Sequence, residues 1–269
     1  MTLVVTSVSS RGITVVGDKA ATWEHGGQIA TSASESKVFV SRAARIAVAL
    51  WGSTRWPGGQ FSRWISSFVD GMEVGAELEA TAERLAAMMR KNLADAGIAP
   101  DRRGIHIAGF VEGVPHLYHI HSGVENQAQH PPALFRDYPD IHCASADEYA
   151  AALERGEIFM LRNGRYDLHA LVGGPRLNEL RDDFRRKYGV PLPELSVTAE
   201  LRFSAGLVRF AASILSAAGA APTVSEALDG FAFGRDGEIV SLNTAEPVQL
   251  GDRLLLLDAE TAATHSLSV

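Results

Sequence analysis

A single cysteine, Cys143, stands among 269 residues. One thiol cannot close an internal disulfide or build a cysteine metal cluster, so the expected setting is a reducing cytoplasm. Long hydrophobic runs are also missing: no stretch approaches the roughly 18 consecutive apolar residues of a membrane-crossing helix. No basic segment precedes the apolar start, and Arg11, Asp18 and Lys19 follow it, so no secretory signal is expected. Positive charge is in deficit, with 25 Lys and Arg against 32 Asp and Glu and a formal net charge of -7. That balance argues against nucleic acid and anionic membrane as partners. Internal repeats and low-complexity linkers are absent as well. Hydrophobic residues make up 46%, ample for burying a core in a chain of this length.

What the sequence does have begins almost at once. "TLVVTSVSS" (2–10) and "GITVVGDKAAT" (12–22) alternate with period two around "RG", which predicts a β-hairpin. "SKVFVSRAARIAVALWGS" (36–53) predicts two more strands around a turn. The second, Ile46 to Trp51, is a continuous apolar run, as for a strand covered on both faces. Phe61, Trp64, Ile65 and Phe68 then recur at helical spacing. Leu78, Ala82, Leu85, Met88, Met89 and Leu93 draw a second helix, with Gly97 as its C-cap. Residues 103–123 predict a hairpin around "EGVP".

Residues 124–165 predict an irregular excursion, with "ADEYAAALERG" as one short helix inside it. "YDLHALVGG" reads as a strand, and "RLNELRDDFRRKYG" and "VTAELRFSAGLVRFAASILSAAG" as helices. "FAFGRDGEIVSLN" predicts a hairpin around "RDG", and "DRLLLLD" a last strand. Blocks of strands and helices in this order predict an α+β fold, a four-layer α-β-β-α sandwich, in one domain over residues 1–269.

Taken singly, the chemistry-bearing residues have ordinary readings. Thr2 could be a strand residue, and Asp18 with Lys19 a solvated hairpin end. Lys37 could guard a strand edge, Gly52 could mark a turn, and Leu50 could be plain core. "HLYHIH" sets His119 and His121 on one strand face, but no carboxylate or cysteine completes a zinc set, so no metal or cofactor is expected. "VGGPRL" lacks the spacing and lysine of a phosphate loop.

In order along the chain, Thr2, "GDKAAT" and "SKVFVSRAARIAVALWGST" resemble the start of a proteasome β-type subunit, an N-terminal-nucleophile hydrolase. The resemblance covers residues 2–55 well, persists as element order to about 123, and is schematic beyond. It implies that Thr2, freed of Met1, is the nucleophile, with Asp18 as the family's acidic residue and Lys37 as its active-site lysine. Gly52 would supply an oxyanion amide, and Leu50 the floor of a pocket suited to a medium-sized apolar side chain. "EHGGQ" would be the loop holding a few extra residues between Thr2 and Lys37. A threonine hydroxyl needs a base, and the freed α-amine, titrating at about 7.7–8.0, is one within reach.

The implied activity is cleavage of peptides or unfolded proteins by a homo-oligomeric ring or double ring, with an ATP-dependent unfoldase as a further partner. The sequence also departs from the family. Gly173 and Gly174 stand where a serine is expected, and no aspartate follows the last long helix in "SILSAAGAAP". Ser204, Ser213 and Ser216 are weak substitutes. Two alternatives stay open: a catalytically weak or inactive ring-forming subunit of the same fold, and an amidohydrolase or acyl transferase acting on a small amide.

Overall fold

The alternating Val, Ile and Thr residues at the amino end form β1 (Leu3–Ser9) and β2 (Gly12–Asp18), paired antiparallel with Val5 opposite Val16 and Ser7 opposite Thr14. This is a computed structural model, and it describes residues 3–25, 28–32, 35–98, 103–122, 141–145, 153, 158–164, 186–187, 189, 196–217, 224–244 and 262–264. The architecture is mixed α+β with antiparallel sheets. The chain divides into two compact units, residues 1–38 with 148–269, and residues 39–147.

In the first unit, β1 and β2 are joined by β12 (Phe159–Gly164), β13 (Leu228–Gly234), β14 (Ile239–Thr244) and β15 (Ala262–Thr264) in the order β12-β1-β2-β13-β14-β15. Helix α3 (Val197–Ala217) lies on one face. There Leu201, Ala205 and Val208 form a core with Leu3, Val5, Val16, Leu228 and Val240. Every residue of β1 and β2 is buried, so neither face of these strands meets solvent.

The second unit carries β5 (Val38–Ser41), which starts at the boundary, then β6 (Ile46–Gly52), β9 (Arg103–Val111), β10 (Val114–Ser122) and β11 (Ile141–Ser145). Its sheet runs β11-β10-β9-β6-β5. Helices α1 (Phe61–Asp70) and α2 (Leu78–Asp95) supply Phe61, Ile65, Leu85 and Met89 to a core shared with Ile46, Val48, Leu50, Ile105, Ile107 and Ile120. Helix α2 closes where Gly97 was expected to cap it. Gly97 N donates to Ala94 O and Ile98 N to Leu93 O, the paired bonds of a Schellman ending.

Three expectations change. The strand expected to run through residue 22 stops at Asp18, because Asp18 Oδ2 accepts from Ala20 N and Lys19 N turns to Ala227 O. Of the expected "EHGGQ" loop, Glu24 and His25 end a strand β3 (Ala21–His25) and Gln28 starts its partner β4 (Gln28–Ser32), while residues 26 and 27 lie outside the described residues. The stretch 124–165, expected to be irregular, contributes β11 and β12. β11 pairs with β10, the strand before it, and β12 with β1 at the far end of the chain. The expected helix "ADEYAAALERG" lies outside the described residues except Leu153, as does "RLNELRDDFRRKYG" except Arg186, Lys187 and Gly189. "YDLHALVGG" and "DRLLLLD" lie wholly outside them. Short pieces β7 (Arg55–Trp56) and β8 (Gly59–Gln60) lead into α1.

Candidate functional site

Asp18 ends β2 and is fully buried, so a solvated hairpin end is excluded. Its carboxylate accepts four hydrogen bonds. Oδ1 takes Leu3 N at 2.7 Å and Lys37 Nζ at 3.1 Å, and Oδ2 takes Ala20 N at 2.8 Å and Ser225 N at 3.2 Å. Two charges removed from water carry a desolvation cost of several kcal/mol each, and only good geometry with extra hydrogen bonds offsets it. Here three backbone amides and one ammonium share the carboxylate, which gives that offset.

Lys37 is equally buried, 1% exposed, and so is no edge guard facing solvent. Its Nζ also donates to the carbonyl of Ala20. Burial pushes the Lys37 ammonium below its usual range, with the charge and hydrogen bond of Asp18 and the charge of Glu35 pulling the other way. A Cβ placed on Gly17 would come within 3.0 Å of Val38 Cγ2 and 3.4 Å of Lys37 Cβ. The lack of a side chain at residue 17 therefore lets the lysine run against β2.

Around this pair lies a second polar group that the sequence alone did not single out. Ser225 Oγ accepts from Lys19 N at 3.1 Å and donates to Ala227 O at 2.7 Å. Lys19 Nζ binds Asp229 Oδ1 at 3.1 Å and Asn243 Oδ1 at 3.0 Å. Ser225 and Asp229 sit in "SEALDG", the polar run leading into β13. Both lie just beyond "SILSAAGAAP" in the sequence.

The other expected residues are placed as follows. Thr2 lies outside the described residues, as do Gly173 and Gly174. The chain is described from Leu3, whose amide is the one bound by Asp18. Ser204 is buried on α3, Ser213 Oγ donates to Arg209 O and Glu226 Oε1, and Ser216 is exposed. None of the three hydrogen-bonds Asp18 or Lys37.

In the second unit, Gly52 ends β6 with φ at +86°, a conformation that favours glycine. Leu50 is 1% exposed and packs in the core with α1 and α2. His119 and His121 stack at 4.7 Å on β10, with His106 edge-on to His119 at 5.3 Å. Among the described residues no group of three or more His, Cys, Asp or Glu is placed to hold a metal. None of the described helices is long and apolar enough to cross a membrane.

No protein-family model matches the sequence, and no curated protein matches it. Among solved structures, the chain is similar to the Anbu (Gly-1) mutant from Hyphomicrobium sp. strain MC1. The identity is 13%, with 89% of this chain and 85% of that one covered and a TM-score of 0.49. It is also similar to Anbu (ancestral beta-subunit) from Yersinia bercovieri, at 14% identity over 86% of this chain and 80% of that one, with a TM-score of 0.46.

Proposed function

We propose that this chain is a threonine-type N-terminal-nucleophile hydrolase that cleaves peptide bonds through an acyl-enzyme on Thr2. One observation carries the proposal. Asp18 Oδ1 binds both the buried Lys37 ammonium and the backbone amide of Leu3, the peptide nitrogen joined covalently to Thr2. A buried, hydrogen-bonded lysine is thus tethered through a single carboxylate oxygen to the bond next to the nucleophile.

With Met1 removed, the Thr2 α-amine takes the proton of its own hydroxyl as Oγ attacks the substrate carbonyl carbon. The tetrahedral oxyanion collapses, the C–N bond breaks, and the amine's proton goes to the departing nitrogen. An ester on Thr2 remains. Water attacks that ester, one of its protons returns to Oγ, and the carboxylic acid leaves. Lys37 favours the deprotonated hydroxyl and amine by its charge and hydrogen bonding, and Asp18 keeps the lysine in place.

Gly52 and Leu50 enter on the sequence resemblance alone, as the oxyanion amide and the floor of the substrate pocket. An oxyanion donor of that kind contributes roughly 2.7–4 kcal/mol. On the same basis each helix-covered sheet is half of a four-layer α-β-β-α sandwich. Subunits of that kind self-assemble into a ring in the cytoplasm, fed with peptide or unfolded protein by an ATP-dependent unfoldase.

The test is intact mass before and after a threonine-directed covalent inhibitor. Loss of the methionine mass, one inhibitor adduct at Thr2, and no adduct or peptide cleavage in Thr2→Ala are expected. An active protein that retains Met1, or Thr2→Ala with undiminished cleavage, would refute the proposal.

A further inference from the structure

The buried residues of helix α3 are Leu, Val and Ala except for Glu200 and Ser204. Glu200, in its first turn and 4% exposed, accepts a hydrogen bond from Ser9 Oγ at Oε2, 2.8 Å away. Its other oxygen, Oε1, is buried with no hydrogen-bond partner. Two more buried oxygens in the same condition belong to the strands beneath, Ser7 Oγ and Thr14 Oγ1, both on residues 1% exposed.

Ser7 and Thr14 face each other across β1 and β2. By strand alternation they share the face of Ser9, Val5 and Val16. Their place under α3 is bracketed from both sides. Glu200 reaches Ser9, one step toward the β1–β2 turn. The next helical residue, Leu201, has Cδ1 3.0 Å from where a Cβ would stand on Gly230, the register partner of Val16. The Ser7–Thr14 pair lies between those two levels. Three orphaned oxygens, one of them a carboxylate's, therefore lie in the layer between α3 and its sheet.

The charge balance selects the ligand class. A buried carboxylate with one oxygen unpartnered is costly and is relieved by a proton or a counterion. A divalent cation against one carboxylate would leave a net positive charge buried, whereas a monovalent cation leaves none. Hydroxyl and carboxylate oxygens are hard donors suited to hard cations. We propose that Ser7, Thr14 and Glu200 form a buried site for a monovalent cation, sodium, beneath the first turn of α3.

Sodium and a proton compete there. Burial raises Glu200 to about 7, while the Ser9 hydrogen bond and the Arg11 charge pull it down. The groups facing Glu200 are the hydroxyls of β1 and β2, Arg11 in the β1–β2 turn, and, beyond the β13–β14 turn, Glu238, whose Oε1 is engaged by Thr198 Oγ1 at 2.7 Å. On the α3 side, β13 presents Leu228, Gly230 and Ala232, none of which titrates, while β12 presents Met160 and the charged Arg162, the register partners of Ser7 and Val5, and α3 itself adds buried Ser204.

Thermal unfolding in sodium chloride against N-methyl-D-glucamine chloride at equal ionic strength tests the site. At about pH 8 sodium is expected to raise the wild-type Tm by about 2–4 °C. The gain should vanish at about pH 5.5, where the carboxyl carries a proton, and in Glu200→Gln, and should shrink in Ser7→Ala. Equal Tm in the two salts at the higher pH overturns the proposal, as does a sodium gain that survives in Glu200→Gln. Should Glu200→Gln fail to fold, the wild-type pair decides. A gain confined to the higher pH supports the site, and a gain equal at both pH values overturns it.

Discussion

Lys37 and Asp18 are the residues where chemistry and stability meet. Removing the ammonium in Lys37→Met leaves Asp18 buried with only its three amides. The expected cost is about 3–5 kcal/mol in urea unfolding, near the lower end because those amides remain, together with loss of the inhibitor adduct. Asp18→Asn should cost more, since an amide NH2 would face backbone donors and the lysine would lose its hydrogen-bonded counter-charge.

The pH dependences of Lys37 and Glu200 have opposite signs. A lysine lowered by folding binds fewer protons in the folded state than in the unfolded one, so its share of stability grows as pH rises toward the unfolded value near 10.5. Glu200 is raised, to about 7. Its share is intact below the unfolded carboxylate range, about 4.3, and is lost as pH climbs through about 7. In sodium-free buffer, Glu200→Gln should flatten the fall in Tm between about pH 5 and pH 8. A slope identical to wild type would show that Glu200 is not its source.

At the scale of elements, the two helix-covered cores are separate clusters. Leu201 on α3 and Leu85 on α2 are each at most 1% exposed, in different clusters. Truncating either to Ala is expected to cost about 2–5 kcal/mol by chemical denaturation. The double variant should match the sum within about 0.5 kcal/mol, because the two sites share no packing partner.

The elements readable in advance were those whose own residues carry the pattern. The β1–β2 and β13–β14 hairpins, the continuous run of β6, and helices α1, α2 and α3 all follow from period two, period 3.6 or a turn dipeptide. β11 and β12 were not legible, since "IHCAS" and "FMLRNG" gain strand structure from the sheet edges they join and have no alternation of their own. The site divides in the same way. Asp18 and Lys37 stand in a recognisable order along the chain. Ser225 and Asp229 reach Asp18 and Lys19 only because β13 pairs with β2, a juxtaposition across more than two hundred residues.

For the whole molecule, the proposal of a ring predicts a native mass at a multiple of the 28.8 kDa chain, measurable by mass photometry. A species staying at one chain mass at working concentration would leave Thr2 chemistry intact and remove the ring. The net charge of -7 adds self-repulsion that salt screens, so any assembly should hold better at moderate ionic strength than at very low.

The grip of Asp18 on the amide of Leu3 has a consequence for the order of events. A peptide N–H is there whether or not anything is still attached upstream of Thr2, so the carboxylate does not wait for trimming before it closes on the lysine. The scaffold can therefore be finished first and armed afterwards. A purification tag fused ahead of Thr2 should yield a protein that folds, melts normally and is inert until the tag is cut back to the threonine.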